Sequence, residues 1–179
     1  IRCYTPCEGS IYIKGKPIND YTSEELHQIV RLAMQNIQLF SGTIAENLRW
    51  GKPDATEEEM REACKIAQID DFIESLDNGY NHIIQQGGVN FSGGQKQRIS
   101  LARTLIGHPE VLVLDDCLNA IDLKTEVRLN RALHEIDCTK IIVSQRISTI
   151  KDADRILLLE NGVIIGEGTH NELLKSNTV

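Results

Sequence analysis

The sequence predicts an α/β fold with a parallel sheet and a helical segment set between its parts. Residues 111–114 (Val-Leu-Val-Leu) form a continuous apolar run, the pattern of a strand buried on both faces. The last third of the chain alternates strand-like and helix-like segments, as crossover connections between parallel strands require. From about residue 48 to 107 the periodicity is helical instead, while the flanks are strand-rich. With 179 residues and 41% hydrophobic content, the chain fits a single domain that buries roughly 70% of its unfolded surface.

The elements follow in order. Residues 8–15 read as a strand running into a turn. Thr22 and Glu25 form a capping-box pattern opening a helix with Leu26, Ile29 and Val30 on one side. Thr56 and Glu59 repeat the pattern ahead of Met60, Ala63, Cys64 and Ala67 at helical spacing, and residues 70–76 form a further short helix. Residues 96–106 read as a helix with Ile99, Ala102 and Ile106 on one face. Residues 124–136 follow as a helix, and 140–144 and 155–159 as strands. Asn161 and Gly162 mark a hairpin turn into residues 163–165, and Thr169 with Glu172 caps a last short helix.

Composition narrows the function classes. A net charge of −7 argues against nucleic acid as the main partner. No stretch approaches the about 20 apolar residues of a membrane span, and no signal peptide is visible. The five cysteines (Cys3, Cys7, Cys64, Cys117, Cys138) are odd in number and form no CxxC pair. They read as free thiols rather than metal ligands. The five histidines are scattered, and the single tryptophan, Trp50, reads as packing or a subdomain contact.

The chemistry concentrates in two places. Ser92, Gly93, Gly94 and Gln95 stand at the start of a helix, where glycines permit close backbone approach and free N–H groups favour phosphate. The apolar strand at 111–114 then delivers Asp115 and Asp116 to the carboxyl end of a sheet, where α/β folds bind ligands. A carboxylate buried there is costly unless paired or metal-bound, so Asp115 is expected to be one or the other. A helix-capping role is its plainer alternative.

Together these segments resemble the ATP-binding-cassette (ABC) ATPases of the exporter branch. Residues 91–95 are similar to their signature loop, 111–116 to the Walker B strand and Gln35 to the Q-loop. Residues 119–122 are similar to the D-loop, and 142–149 to the switch segment. The resemblance covers nearly the whole chain. It implies a P-loop NTPase-type core (residues 1–47 and 108–179) with a helical subdomain at about 48–107. It further implies ATP and Mg²⁺ as cofactors.

By that resemblance Asp115 and Gln35 would serve the metal, and Ser92, Gly93, Gly94, Gln95 and Asp122 would act across a head-to-tail dimer on the partner's ATP. A solvated loop glutamine and a helix N-cap are the plain alternatives for Gln35 and Asp122. The expected partners are a second nucleotide-binding domain and the transporter's transmembrane domains, at the cytoplasmic face of the membrane. Two positions depart from the family. Asp116 stands where a glutamate usually polarises the attacking water, and Gln145 where a switch histidine usually stands. Both weaken the chain's own site, as in the degenerate half of heterodimeric exporters. No GxxxxGK[ST] stretch occurs, so the first strands and the P-loop are expected to be missing, and the chain alone is expected not to hydrolyse ATP. The alternatives are a homodimer with a slow site using Asp116, and a non-hydrolytic assembly module. A soluble DNA-maintenance cassette is disfavoured by the exporter-like run at 39–44.

Overall fold

Residues 2–176 are described by a computed structural model of the chain. β1 (Tyr12–Ile13) and β2 (Lys16–Pro17) pair antiparallel across Lys14 and Gly15, both at positive φ. The strand expected over 8–15 is therefore only two residues long, because the chain reverses at Lys14. α1 (Ser23–Ile29) starts at the expected capping box, where Thr22 Oγ1 accepts from Glu25 N at 3.1 Å and Glu25 Oε2 from Thr22 N at 2.7 Å. Leu26 is buried. Val30, assigned to the same helix by periodicity, instead opens β3 (Val30–Ala33). The reason is tertiary: a β-branched residue takes the extended form when a neighbouring strand is there to pair with it.

β4 (Gly42–Thr43) leads into α2 (Ile44–Arg49), whose Thr43–Glu46 capping box sets its start ahead of the expected helical segment. α3 (Glu57–Ile66) buries Met60, Ala63 and Cys64, as its spacing requires, and α4 (Asp70–Glu74) follows. β5 (Ile83–Ile84) pairs antiparallel with β4. α5 (Gly93–Leu105) buries Ile99, Leu101, Ala102 and Leu105, and packs against α2, α3 and β3. Gly51 makes one of these approaches possible, since a Cβ there would lie 2.0 Å from the Arg103 carbonyl oxygen.

β6 (Val111–Asp115) pairs with β3 in parallel, Val30 opposite Val111 through Ala33 opposite Leu114. After α6 (Leu123–His134), β7 (Thr139–Val143) is the third strand, giving the order β3-β6-β7. A first compact unit extends to Ile141, and a second begins at Ile142. The second contains α7 (Ile147–Ile150), the antiparallel pair β8 (Ile156–Glu160) and β9 (Val163–Gly168), and α8 (His170–Lys175). Its hairpin turns at Asn161 and Gly162, both at positive φ as the type of turn favoured between antiparallel strands demands. Trp50, expected in packing or a subdomain contact, is exposed, its ring centroid 4.9 Å from that of Phe40.

All five cysteines are free, with Cys3 and Cys7 exposed and Cys64 and Cys117 buried. Burial pushes the Cys64 thiol up to about 12 and the Cys117 thiol to about 11. Because the thiolate is the nucleophile, a thiol reagent at neutral pH should modify Cys3 and Cys7 quickly. Cys64 and Cys117 should react only in denaturant, and fast labelling of Cys64 in the folded chain would contradict the packing of α3. Gly51→Ala should lower stability by about 1–3 kcal/mol, the usual cost of overpacking, read as a shift of the urea midpoint.

Candidate functional site

Parallel strands end on the same side of a sheet, and here that places two polar groups together. Gln35 follows the end of β3 and Asp116 the end of β6, and Gln35 Nε2 donates to Asp116 Oδ2 at 3.3 Å. Asp116 sits in the left-handed region at φ +46°, which aspartate tolerates better than most side chains. Its second oxygen, Oδ1, is buried without a partner. Asp115, expected to be buried, is exposed at the strand's end. The strand carries it past the sheet into solvent, so the desolvated carboxylate oxygen belongs to Asp116 instead. Directly after it, Cys117 and Leu118 are buried and anchor the turn that follows.

Asp115, Asp116 and Gln35 offer oxygen donors only, which suits Mg²⁺. That ion is usually held by one or two carboxylates, with waters and phosphate oxygens completing its shell. The partnerless Oδ1 of Asp116 is a free acceptor for such a shell. Among the described residues no group of three or more His, Cys, Asp or Glu could hold a metal ion. The residues fit a shared ion rather than a protein cage.

The second element of the site is the start of α5. Ser92 Oγ accepts from Gln95 N at 3.3 Å, and Gln95 Oε1 accepts from Ser92 N at 2.8 Å, a complete capping box. Both side chains are thereby oriented by the helix itself, leaving the Gly93 and Gly94 amides without intrahelical acceptors. Gly94 lies against the turn after β6, where a Cβ would be 2.8 Å from the Ala120 carbonyl oxygen. From the other side, buried Gln97 accepts from Ala120 N at 2.9 Å through Oε1. Arg98 donates from Nε to Gly94 O at 3.2 Å and from Nη1 to Gln68 O at 2.5 Å. Burial pushes the Arg98 guanidinium down, with Asp122 opposing.

Asp122 closes this region as the N-cap of α6, its Oδ1 accepting from Thr125 N at 3.0 Å. The structure thus joins Gln35 with Asp116, and Gly93 and Gly94 with Ala120. Gln145 lies in the second unit, exposed between β7 and α7, where Arg146 N donates to Ser144 Oγ at 3.0 Å. Sequence reasoning assigned no role to Gln97, Arg98 or Ala120. One signal was present: Gln97 precedes buried Leu101 by one helical turn, so an amide there points inward.

The Thr125 side chain, then its backbone N–H, hold the Asp122 carboxyl below the usual carboxylate range. A depressed carboxyl contributes stability that is present above its unfolded pKa of about 3.9 and is lost as pH falls through the folded value. Asp122→Ala should therefore be less stable than the parent at pH 7. The gap should close as pH falls below that range, which denaturation midpoints at several pH values would read directly.

A family model described as ABC transporter matches residues 1–119. The uncharacterized ABC transporter ATP-binding protein YfiB of Bacillus subtilis is 49% identical over 176 residues, 98% of this chain and 31% of that protein. The candidate multidrug export ATP-binding/permease protein YgaD of the same organism is 44% identical, over 97% of this chain and 30% of that protein. Among solved structures, a bacterial Atm1-family ABC exporter with ATP bound superposes with a TM-score of 0.92 at 36% identity, over 97% of this chain and 31% of that one. The chain therefore spans about a third of the length of the proteins it matches. It belongs to the ABC transporter family.

Proposed function

We propose that this chain is part of the ATP-binding domain of an ABC exporter, paired head-to-tail with a second such domain whose ATP site it completes. One observation carries the proposal. The turn from Ser92 to Gly94 is fully formed and braced against Ala120, whereas the positions expected to activate water hold the shorter Asp116 and the uncharged Gln145. The chain keeps what a partner's site needs and has weakened what its own site needs.

Within that arrangement Asp115 and Gln35 would hold the Mg²⁺ of MgATP. The ion would supply charge neutralisation on the phosphates. Asp116 accepts a hydrogen bond from Gln35 and keeps one oxygen for water. Gln145 stands where a switch histidine is expected, and its amide can take no proton at neutral pH. Ser92 and the Gly93 and Gly94 amides orient the partner's nucleotide, in chemistry that depends mainly on positioning and electrostatics. The helical subdomain of residues 48–107 carries this loop. No helix among the described residues is long and apolar enough to cross a membrane. The transmembrane part is supplied by the rest of the transporter, and the domain works at the membrane's cytoplasmic face.

A symmetric homodimer that uses Asp116 as a slow base is the second reading, favoured by the partnerless oxygen of that residue. In the full-length transporter, Asp116→Asn should leave ATP turnover within about twofold of the parent if the site is degenerate. Loss by the about 10²–10⁴-fold a general base is worth would establish the symmetric reading. Ser92→Arg should abolish turnover in either case. If turnover instead survives that change, the chain is an assembly module and the proposal is wrong. The chain on its own should not hydrolyse MgATP.

A further inference from the structure

We infer that Gln97 is a positioning residue that ties the turn at 119–122 to the start of α5, so that the carboxylate end of β6 and the Ser92–Gly94 turn move as one body. The inference rests on the proposed role of Ser92 to Gly94 in a partner's site.

Ala120 is held by one hydrogen bond and by close packing. Its N–H donates to the buried Oε1 of Gln97 at 2.9 Å, and its carbonyl oxygen abuts Gly94 closely enough that a Cβ there would sit 2.8 Å away. Gly93 adds a third point, since a Cβ there would be 3.4 Å from the Ala120 methyl. Ala120 is itself exposed, so burial of its side chain does not fix its place. Burying an amide to make this bond is costly unless the bond forms. What the amide adds is a fixed distance between α5 and the turn.

The other end of the connection is equally stiff. Between Asp116 and Ala120 the chain passes through Cys117 and Leu118, both buried, and then Ile121 is buried on the far side. Asp116 itself is bonded to Gln35. A displacement at the Gln35–Asp116 pair therefore reaches Ala120 through packed backbone, and reaches Gly94 and Ser92 through the grip of Gln97. Arg98 reinforces the helix side by donating to Gly94 O, and its second bond to Gln68 O anchors it to the segment after α3. The Ala120 N–H donates to Gln97. Gln97 is the residue whose loss would separate the two parts while leaving the apolar face of α5 intact.

The test uses the full-length transporter. Gln97→Met keeps length and removes the acceptor, while Gln97→Glu keeps an acceptor oxygen at the same reach. At saturating MgATP, Gln97→Met should lower kcat about tenfold, a modest share of the about 10²-fold a 1 Å misplacement can cost. Its melting temperature should stay at the parent value, and Gln97→Glu should retain most of the turnover. Should Gln97→Met fail to fold, Gln97→Asn, whose amide falls a methylene short, should show the same fall in kcat. Unchanged kcat in Gln97→Met, or an equal loss in Gln97→Glu, would overturn the inference. So would a fall in kcat matched by a fall in melting temperature. Ser92→Arg separates the two claims: if it abolishes turnover while Gln97→Met does not alter it, the proposed function stands and this inference fails.

Discussion

α5 has to satisfy two demands at once, and the rest of the first unit is arranged around them. Its side bearing Ile99, Leu101, Ala102 and Leu105 is buried against α2, α3 and β3. Its first turn has to stay open, because Ser92 and Gly93 are exposed there. A helix anchored along one face can present its end with little freedom, since the buried side chains leave few alternative placements. Gln97 and Arg98 extend that anchoring to the polar side, one to the turn after β6 and one to the segment after α3. The candidate phosphate-facing turn is therefore positioned by the core rather than by the loop that contains it.

The far end of α5 shows the same economy of contacts. Arg31, from the middle of β3, brings its guanidinium against Gly107, where a Cβ would lie 2.8 Å from Nη2. A glycine just past the helix end lets a cation approach the carbonyls there, the favourable pairing for that end of the dipole. Burial pushes the Arg31 and Arg103 guanidiniums down, and each keeps one buried nitrogen without a partner. Arg103 is held instead by the Gln38 carbonyl at 2.9 Å and by the Phe40 ring at 5.5 Å. Cations placed against a helix end and a ring cost less than unpaired buried charge would.

The capping boxes explain why so many short helices have definite starts. α1, α2, α3, α5 and α8 each begin at a Ser or Thr whose side chain accepts from the backbone three residues on, with the reciprocal Glu or Gln bond made. Helices of this length are marginal on propensity alone, so a local start signal and burial have to decide them. That makes the boxes at Thr22, Thr56 and Thr169 legible. The Thr43–Glu46 and Ser92–Gln95 boxes are written in the same code and emerge as such only in the structure. Val30 was misassigned for the opposite reason: its apolar character suits a helix face and a strand equally, and only pairing with Val111 distinguishes them.

Sequence alone determined the starts of α1, α3 and α8, the apolar strand that delivers Asp115 and Asp116, the hairpin at Asn161 and Gly162, and the family resemblance. These depend on neighbours a few positions apart, and such interactions are present in the chain's own order. Tertiary structure alone decided that Asp115 faces solvent, that Asp116 keeps a buried free oxygen beside Gln35, and that Gln97 grips Ala120. The last two join residues far apart in the chain. Their distances are set by how the sheet and α5 pack, and no periodicity or motif spacing encodes that packing locally.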